Sequence, residues 1–228
     1  MIETFKLYFI EYGGYRDYFT GLKNTALIAV FGLLIGFLIG CLIATVKIIP
    51  EKNIALVIAE KLCDVYVALF RGTPMTVQLL LLHYAIFPII GLDISTVAEA
   101  ILIFGMNSGA YMAEILRSGI NAVDKGQMEA SRSLGLGFVP SMLRIILPQA
   151  IKNILPTIGN EFITLIKETS VVSFIALMDV TKALKAIADS TTEYFIPYIV
   201  LAITYLVIVL FITLLIKIME RRLAKSDR

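Results

Sequence analysis

Glu161, Thr164 and Glu168 stand at i, i+3 and i+7 in a stretch otherwise built of Ile, Phe, Leu and Val, with Asn160 and Lys167 beside them. On a helix this spacing places all three on one face. A second apolar stretch carries Asn107, Ser108 and Tyr111 near its middle and Glu114 toward its end. Carboxylates, amides and hydroxyls of this kind can hold the ammonium and carboxylate of an amino acid, or the charge on its side chain. Ionisable groups at membrane depth are expensive and face a cavity or a partner. Glu161 is the acid best suited to face a cationic group, which favours a basic amino acid as cargo. Lys167 and Glu168 lie nearer the outer half, where a gate closing one side would sit. The structural alternative is adhesive: Lys167 paired with Glu168 or Glu114, and Asn107 bonded to a neighbouring helix.

Another polar group interrupts two apolar stretches. It reads Glu129-Ala130-Ser131, three residues, Gly135, nine residues, then Ile145, Leu147 and Pro148. The sequence predicts a short helix from Gln127 to Leu134 with Glu129 in its first turn, where the helix dipole favours an acid. Gly135 and Gly137 permit a turn. Pro140 opens the next helix, Leu143, Ile146 and Leu147 give it an apolar stripe, and Pro148 interrupts its continuation. The expected product is a compact protrusion exposing Glu129, Arg132 and Arg144.

Other chemistry has little to work with. No Gly-x-x-x-x-Gly-Lys-Ser/Thr loop is present to cradle a nucleotide phosphate, so any ATP must be hydrolysed elsewhere. No Gly-x-Ser-x-Gly or His-Glu-x-x-His appears. One histidine, His83, and two separated cysteines, Cys41 and Cys63, make a transition-metal site improbable. His83 sits in an apolar stretch and is expected to be packed and locally bonded. The cysteines read as small buried hydrophobes. No basic stripe suggests nucleic acid.

The elements that carry these groups are membrane helices. Hydrophobic residues make up 58% and charged residues 17% of the 228, and mean hydropathy is +0.86. Soluble domains average roughly 45–50% apolar and 25% charged. The fold class is an all-α integral membrane protein with about five spans. Residues 20–46 hold the first, with Gly32, Gly36 and Gly40 on one face for close helix packing. Residues 55–87 are too long for a single straight crossing. Gly72-Thr73-Pro74 would kink or break them, and Asp64 and Arg71 share a face as structural charges. Spans three, four and five cover 97–117, 153–178 and 196–217. Residues 1–19, rich in aromatics, suit a helix lying in the interface.

The loop from Arg117 to Lys152 carries five Lys/Arg, as does the tail from Lys217 to Arg228, while 87–96 carries none. Positive residues stay cytoplasmic. The loop 118–152 and the C-terminus are therefore expected inside, and the N-terminus outside.

The spacing in 129–148 resembles the coupling loop of bacterial ABC importer permeases: Glu-Ala-Ala, three residues, Gly, nine residues, Ile-x-Leu-Pro. Ser131 at the second alanine is the one departure. Phe70-Arg71-Gly72-Thr73-Pro74, Ala110-Tyr111-Met112-Ala113-Glu114-Ile115, Gly159-Asn160-Glu161-Phe162 and Lys167-Glu168-Thr169-Ser170 extend the likeness. Together they resemble the polar amino acid permease family over most of the chain. The resemblance implies one permease domain over 1–228 in a bacterial inner membrane, importing a polar amino acid. It implies a second permease, identical or similar, and two ATPase subunits that hold ATP and Mg. An extracytoplasmic solute-binding protein would deliver the cargo. Glu129, Ala130, Ser131, Gly135 and Arg132 would serve the ATPase contact. One chain has too few spans for a two-halved alternating-access pathway, which also argues for pairing. The competing class is a gradient-driven secondary transporter or channel, for which the intramembrane carboxylates would permit proton coupling.

Overall fold

The computed structural model describes residues 1–50 and 53–225; the end of the basic tail, 226–228, lies outside the described residues. Among these, all regular structure is helical. The chain begins with α1 (Ile2–Lys6) and a π turn (Leu7–Glu11). Gly13, in the left-handed region at φ 79°, ends this piece, and α2 (Gly14–Ile48) starts at once. Residues 14–19, expected in the N-terminal segment, belong instead to the first long helix. Phe5, Tyr8 and Phe9 pack on Val180, Leu184 and Ile187.

Next come α3 (Ile54–Gly72) and α4 (Met75–Leu81), which runs through a π turn (Leu82–Ile86) into α5 (Phe87–Ile89). Residues 55–87 are therefore two helices rather than one kinked one. Thr73 is extended, at φ −123° and ψ 147°, as the residue before a proline prefers. The break would leave carbonyls at the end of α3 unsatisfied. Gln78 supplies the donors: its amide reaches the Phe70 carbonyl at 2.7 Å and the Thr73 carbonyl at 2.9 Å.

α6 (Thr96–Asn121) lies along α2. A Cβ added at Gly36 would stand 2.6 Å from the Ser108 Cβ, and one at Gly40 2.5 Å from the Met112 Cβ. From the other side, Gly105 and Gly109 admit Ile35 and Ile39. The two helices interlock through small residues, which is how helices associate where lipid removes the hydrophobic drive.

The loop after α6 forms α7 (Lys125–Ser133) and α8 (Phe138–Ser141), then a π turn (Met142–Ile146) and α9 (Leu147–Glu168). Helix α7 starts two residues earlier than expected. Glu129 consequently falls in its second turn, and the acid at its N-terminus is the cap Asp124. Pro148 does not stop the helix either. The Leu147 N–H bonds the Met142 carbonyl, five residues back. That wider turn absorbs the missing proline N–H and the ring's clash, so helical structure continues from Phe138 to Glu168.

A 3-10 turn (Thr169–Ile175) leads to α10 (Val180–Thr191) and α11 (Phe195–Lys225). Asp179 caps α10 by accepting from the Lys182 N–H at 2.8 Å and the Thr181 N–H at 3.0 Å, and it is fully buried against Gly21. Burial pushes its carboxyl above the ordinary range, against the capping bonds. A raised folded-state pKa means stability that is complete below the unfolded value near 3.9 and is lost as pH rises through the folded one. Asp179→Asn keeps a capping oxygen without the charge. It is expected to melt no lower than the parent at neutral pH, whereas Asp179→Ala loses about 1 kcal/mol. Thermal melts of both variants in detergent at pH 5 and pH 8 check this.

Candidate functional site: a polar seam and a docking loop

α2 and α11 are long and apolar enough to cross a membrane on their own. α6 is diluted by Glu, Asn, Gly and Ser because much of its surface meets other helices, whereas α9 is diluted by Asn, Thr and Lys on an exposed face. The seam expected on α9 is present. Glu161 is half-buried and its carboxylate accepts from the Ser108 hydroxyl at 3.1 Å. Asn160, Thr164 and Lys167 are exposed, and Glu168 is half-buried at the helix end. The Thr164 hydroxyl donates to the Asn160 carbonyl at 3.1 Å.

The row is longer than sequence reasoning found. Asn153, Thr157, Asn160, Thr164 and Lys167 are all exposed, at spacings of 4, 3, 4 and 3. They draw one polar stripe down the whole of α9. The signal for Asn153 and Thr157 was that same alternation, continued toward the N-terminus.

α6 divides its candidates. Ser108 is fully buried and belongs to the seam through Glu161. Asn107, also buried, gives its amide to the Gln78 carbonyl oxygen at 2.8 Å. It steadies the glutamine that closes the α3–α4 break, so its amide nitrogen is spent on a neighbouring helix. Tyr111 is partly exposed and lies beneath the Arg71 guanidinium, 5.4 Å from the ring centroid. Glu114 does not meet Lys167. It meets the Arg117 guanidinium at 2.7 Å, with Lys47 and Arg71 each 3.8 Å away, and Lys47 also pairs with Asp64 at 2.9 Å. This charge cluster joins α2, α3 and α6, and no single helix pattern announced it. Asp64 and Arg71 do share a face, but each is paired across to another helix. His83 is locally bonded, to Glu99.

In the loop, Glu129, Ala130, Arg132 and Arg144 are exposed and Ser131 is not. Ser131 is 2% exposed and donates to the Met128 carbonyl at 2.8 Å. It faces the inner side of the protrusion, where Met128 packs among Val123, Ile146 and Ala150. Gly135 has φ 84°. Its N–H bonds the Arg132 carbonyl and the Leu136 N–H bonds the Ser131 carbonyl, the paired bonds of a Schellman helix end. Around this turn Leu134, Val139 and Leu143 are 83%, 61% and 60% exposed. Apolar side chains beside exposed charges make a surface suited to a protein partner.

The helical bundle thus carries an exposed polar row on α9 beside the half-buried Glu161, and an apolar-tipped loop outside its long helices. The chain belongs to the family described as the binding-protein-dependent transport system inner membrane component, which matches residues 36–225. It is a permease subunit of an ABC importer of that kind. Over 205 residues it is 40% identical to a putative glutamine transport system permease protein of Rickettsia bellii, covering 90% of each chain. Over 207 residues it is 37% identical to an arginine transport system permease protein of Bacillus subtilis, covering 91% of this chain and 92% of that one. It superposes with a TM-score of 0.83 on a solved amino acid ABC transporter crystallised with histidines, at 39% identity over 95% of this chain and 97% of that one.

Proposed function

We propose that this permease passes a polar amino acid along α9, across a seam shared with a second permease, identical or similar. The exposed polar row Asn153, Thr157, Asn160, Thr164 and Lys167 carries the reading. Acyl chains cannot satisfy amides, hydroxyls or an ammonium, so this face belongs against water and a polar neighbour. Glu161, tethered by Ser108 beside that row, is the acid that meets a cationic group of the cargo. The relatives' names, glutamine and arginine systems, agree with a polar amino acid, and Glu161 favours the basic one. Lys167 and Glu168 lie where a gate toward the outside would close.

The loop 118–152 seats on an ATPase subunit, one beneath each permease. Each ATPase carries the ATP and Mg. Glu129, Ala130, Arg132 and the exposed Leu134 form the contact, while Ser131 and Gly135 shape it from within. A solute-binding protein delivers cargo on the opposite side. The positive charge of 117–152 and of the tail supports a cytoplasmic loop and C-terminus, with the N-terminus outside.

Cysteine accessibility tests the seam. In the assembled transporter, with Cys41 and Cys63 replaced by serine, Asn160→Cys and Thr164→Cys are expected to react with a water-borne, charged methanethiosulfonate. Leu206→Cys, on the exposed apolar face of α11, is expected to resist it. Equal protection of all three would place the α9 row in lipid and contradict the reading.

A further inference from the structure

One turn below the Ser108–Glu161 contact, α3, α6 and α9 line an open recess of about 410 Å³. Arg71, Tyr111, Glu114 and Arg117 line one side, and Asn153 and Thr157 the other. Its cations are not equally committed. Arg117 gives two N–H groups to Glu114, at 2.7 and 3.3 Å, and Lys47 is held by Asp64. Arg71 stands 3.8 Å from Glu114, too far for a hydrogen bond, and among the described residues it donates none. Its position is nevertheless set, because the guanidinium lies over the Tyr111 ring. A planar fork of N–H donors, oriented by stacking and ion-paired with Glu114 but without a hydrogen bond among the described residues, matches a carboxylate.

We infer that the recess is a carboxylate station of the pathway, in which Arg71 receives the α-carboxylate of the amino acid while Asn153 and Thr157 offer hydrogen bonds from the facing helix. The volume falls within the range of small-molecule sites. Glu114 does not repel the anion because Arg117 neutralises it. This inference rests on the proposed amino acid cargo and adds which group of the cargo is held, and where.

Direct binding separates it from that reading. The permease–ATPase complex in nanodiscs, without binding protein, is titrated with L-arginine and L-argininamide, and with L-glutamine and L-glutaminamide. The parent is expected to favour each acid over its amide by about tenfold or more, as a charged hydrogen-bonded pair would. Arg71→Gln is expected to erase the preference. Tyr111→Leu, which keeps the charge and removes its platform, is expected to reduce it. Should Arg71→Gln misassemble, Tyr111→Leu still decides: a full parental preference in that variant would overturn the inference. So would a preference that survives Arg71→Gln, or no saturable binding to the parent. Uptake by the parent with its binding protein is measured in parallel. Amino acid uptake alongside any of these negative results would reject the recess alone, and absence of uptake would reject the cargo as well.

Discussion

Gly135→Pro is expected to abolish cargo-driven ATP hydrolysis while the permease still inserts in the membrane. At φ 84° the position is closed to proline, whose ring holds φ near −65°. The substitution also removes the N–H that bonds the Arg132 carbonyl. The combined cost is at least ~3 kcal/mol, enough to unmake a turn that only short contacts support. With it goes the placement of Glu129, Ala130 and Leu134 against the ATPase. A series refines the result. A Cβ at Gly135 would meet nothing within 4 Å, so only the backbone angle is at stake. Gly135→Asn, which tolerates the left-handed region, should keep most coupling. Gly135→Ala should lose about 1–2 kcal/mol of turn stability and part of the coupling. ATP hydrolysis and uptake, measured side by side in proteoliposomes, give the order Gly, Asn, Ala, Pro. Coupling in the proline variant equal to the parent would remove the loop from the energy path.

Glu161→Gln should have the second largest effect, and it isolates charge. The carboxamide oxygen still accepts from Ser108, so the α6–α9 contact at 3.1 Å survives. Only the negative charge proposed to face the cargo goes. Uptake of a basic amino acid is expected to fall by about tenfold or more, the equivalent of one charge-assisted contact. Uptake of a neutral polar amino acid should fall less. Parental affinity for the basic cargo in the variant would assign Glu161 to helix packing.

Much of this molecule could be read from the chain alone, and the limits have physical causes. The helical class, the glycine face of α2 and the break at Gly72-Thr73-Pro74 were legible because each is written in consecutive or regularly spaced residues. The polar row of α9 was half legible by the same logic. Asn107 was ambiguous because a buried amide reads alike whether it meets cargo or Gln78, twenty-nine positions away. The burial of Ser131 was not legible because the motif's spacing is silent on which side of a short helix faces in. Pro148 was expected to stop a helix, yet a single wider turn at Met142–Ile146 accommodates it. The charge cluster around Glu114 draws on three helices, and no local pattern holds such information.

As proposed, this chain carries cargo in response to ATP hydrolysed by a partner, through the loop at 118–152. The most direct measurement is ATP hydrolysis by the chain co-expressed with its candidate ATPase and reconstituted in lipid, with and without cargo-loaded binding protein. Hydrolysis is expected to be stimulated by the loaded binding protein, with the stimulation lost in Gly135→Pro. A stable complex whose hydrolysis ignores the loaded binding protein, or a response that the proline variant retains, would contradict it.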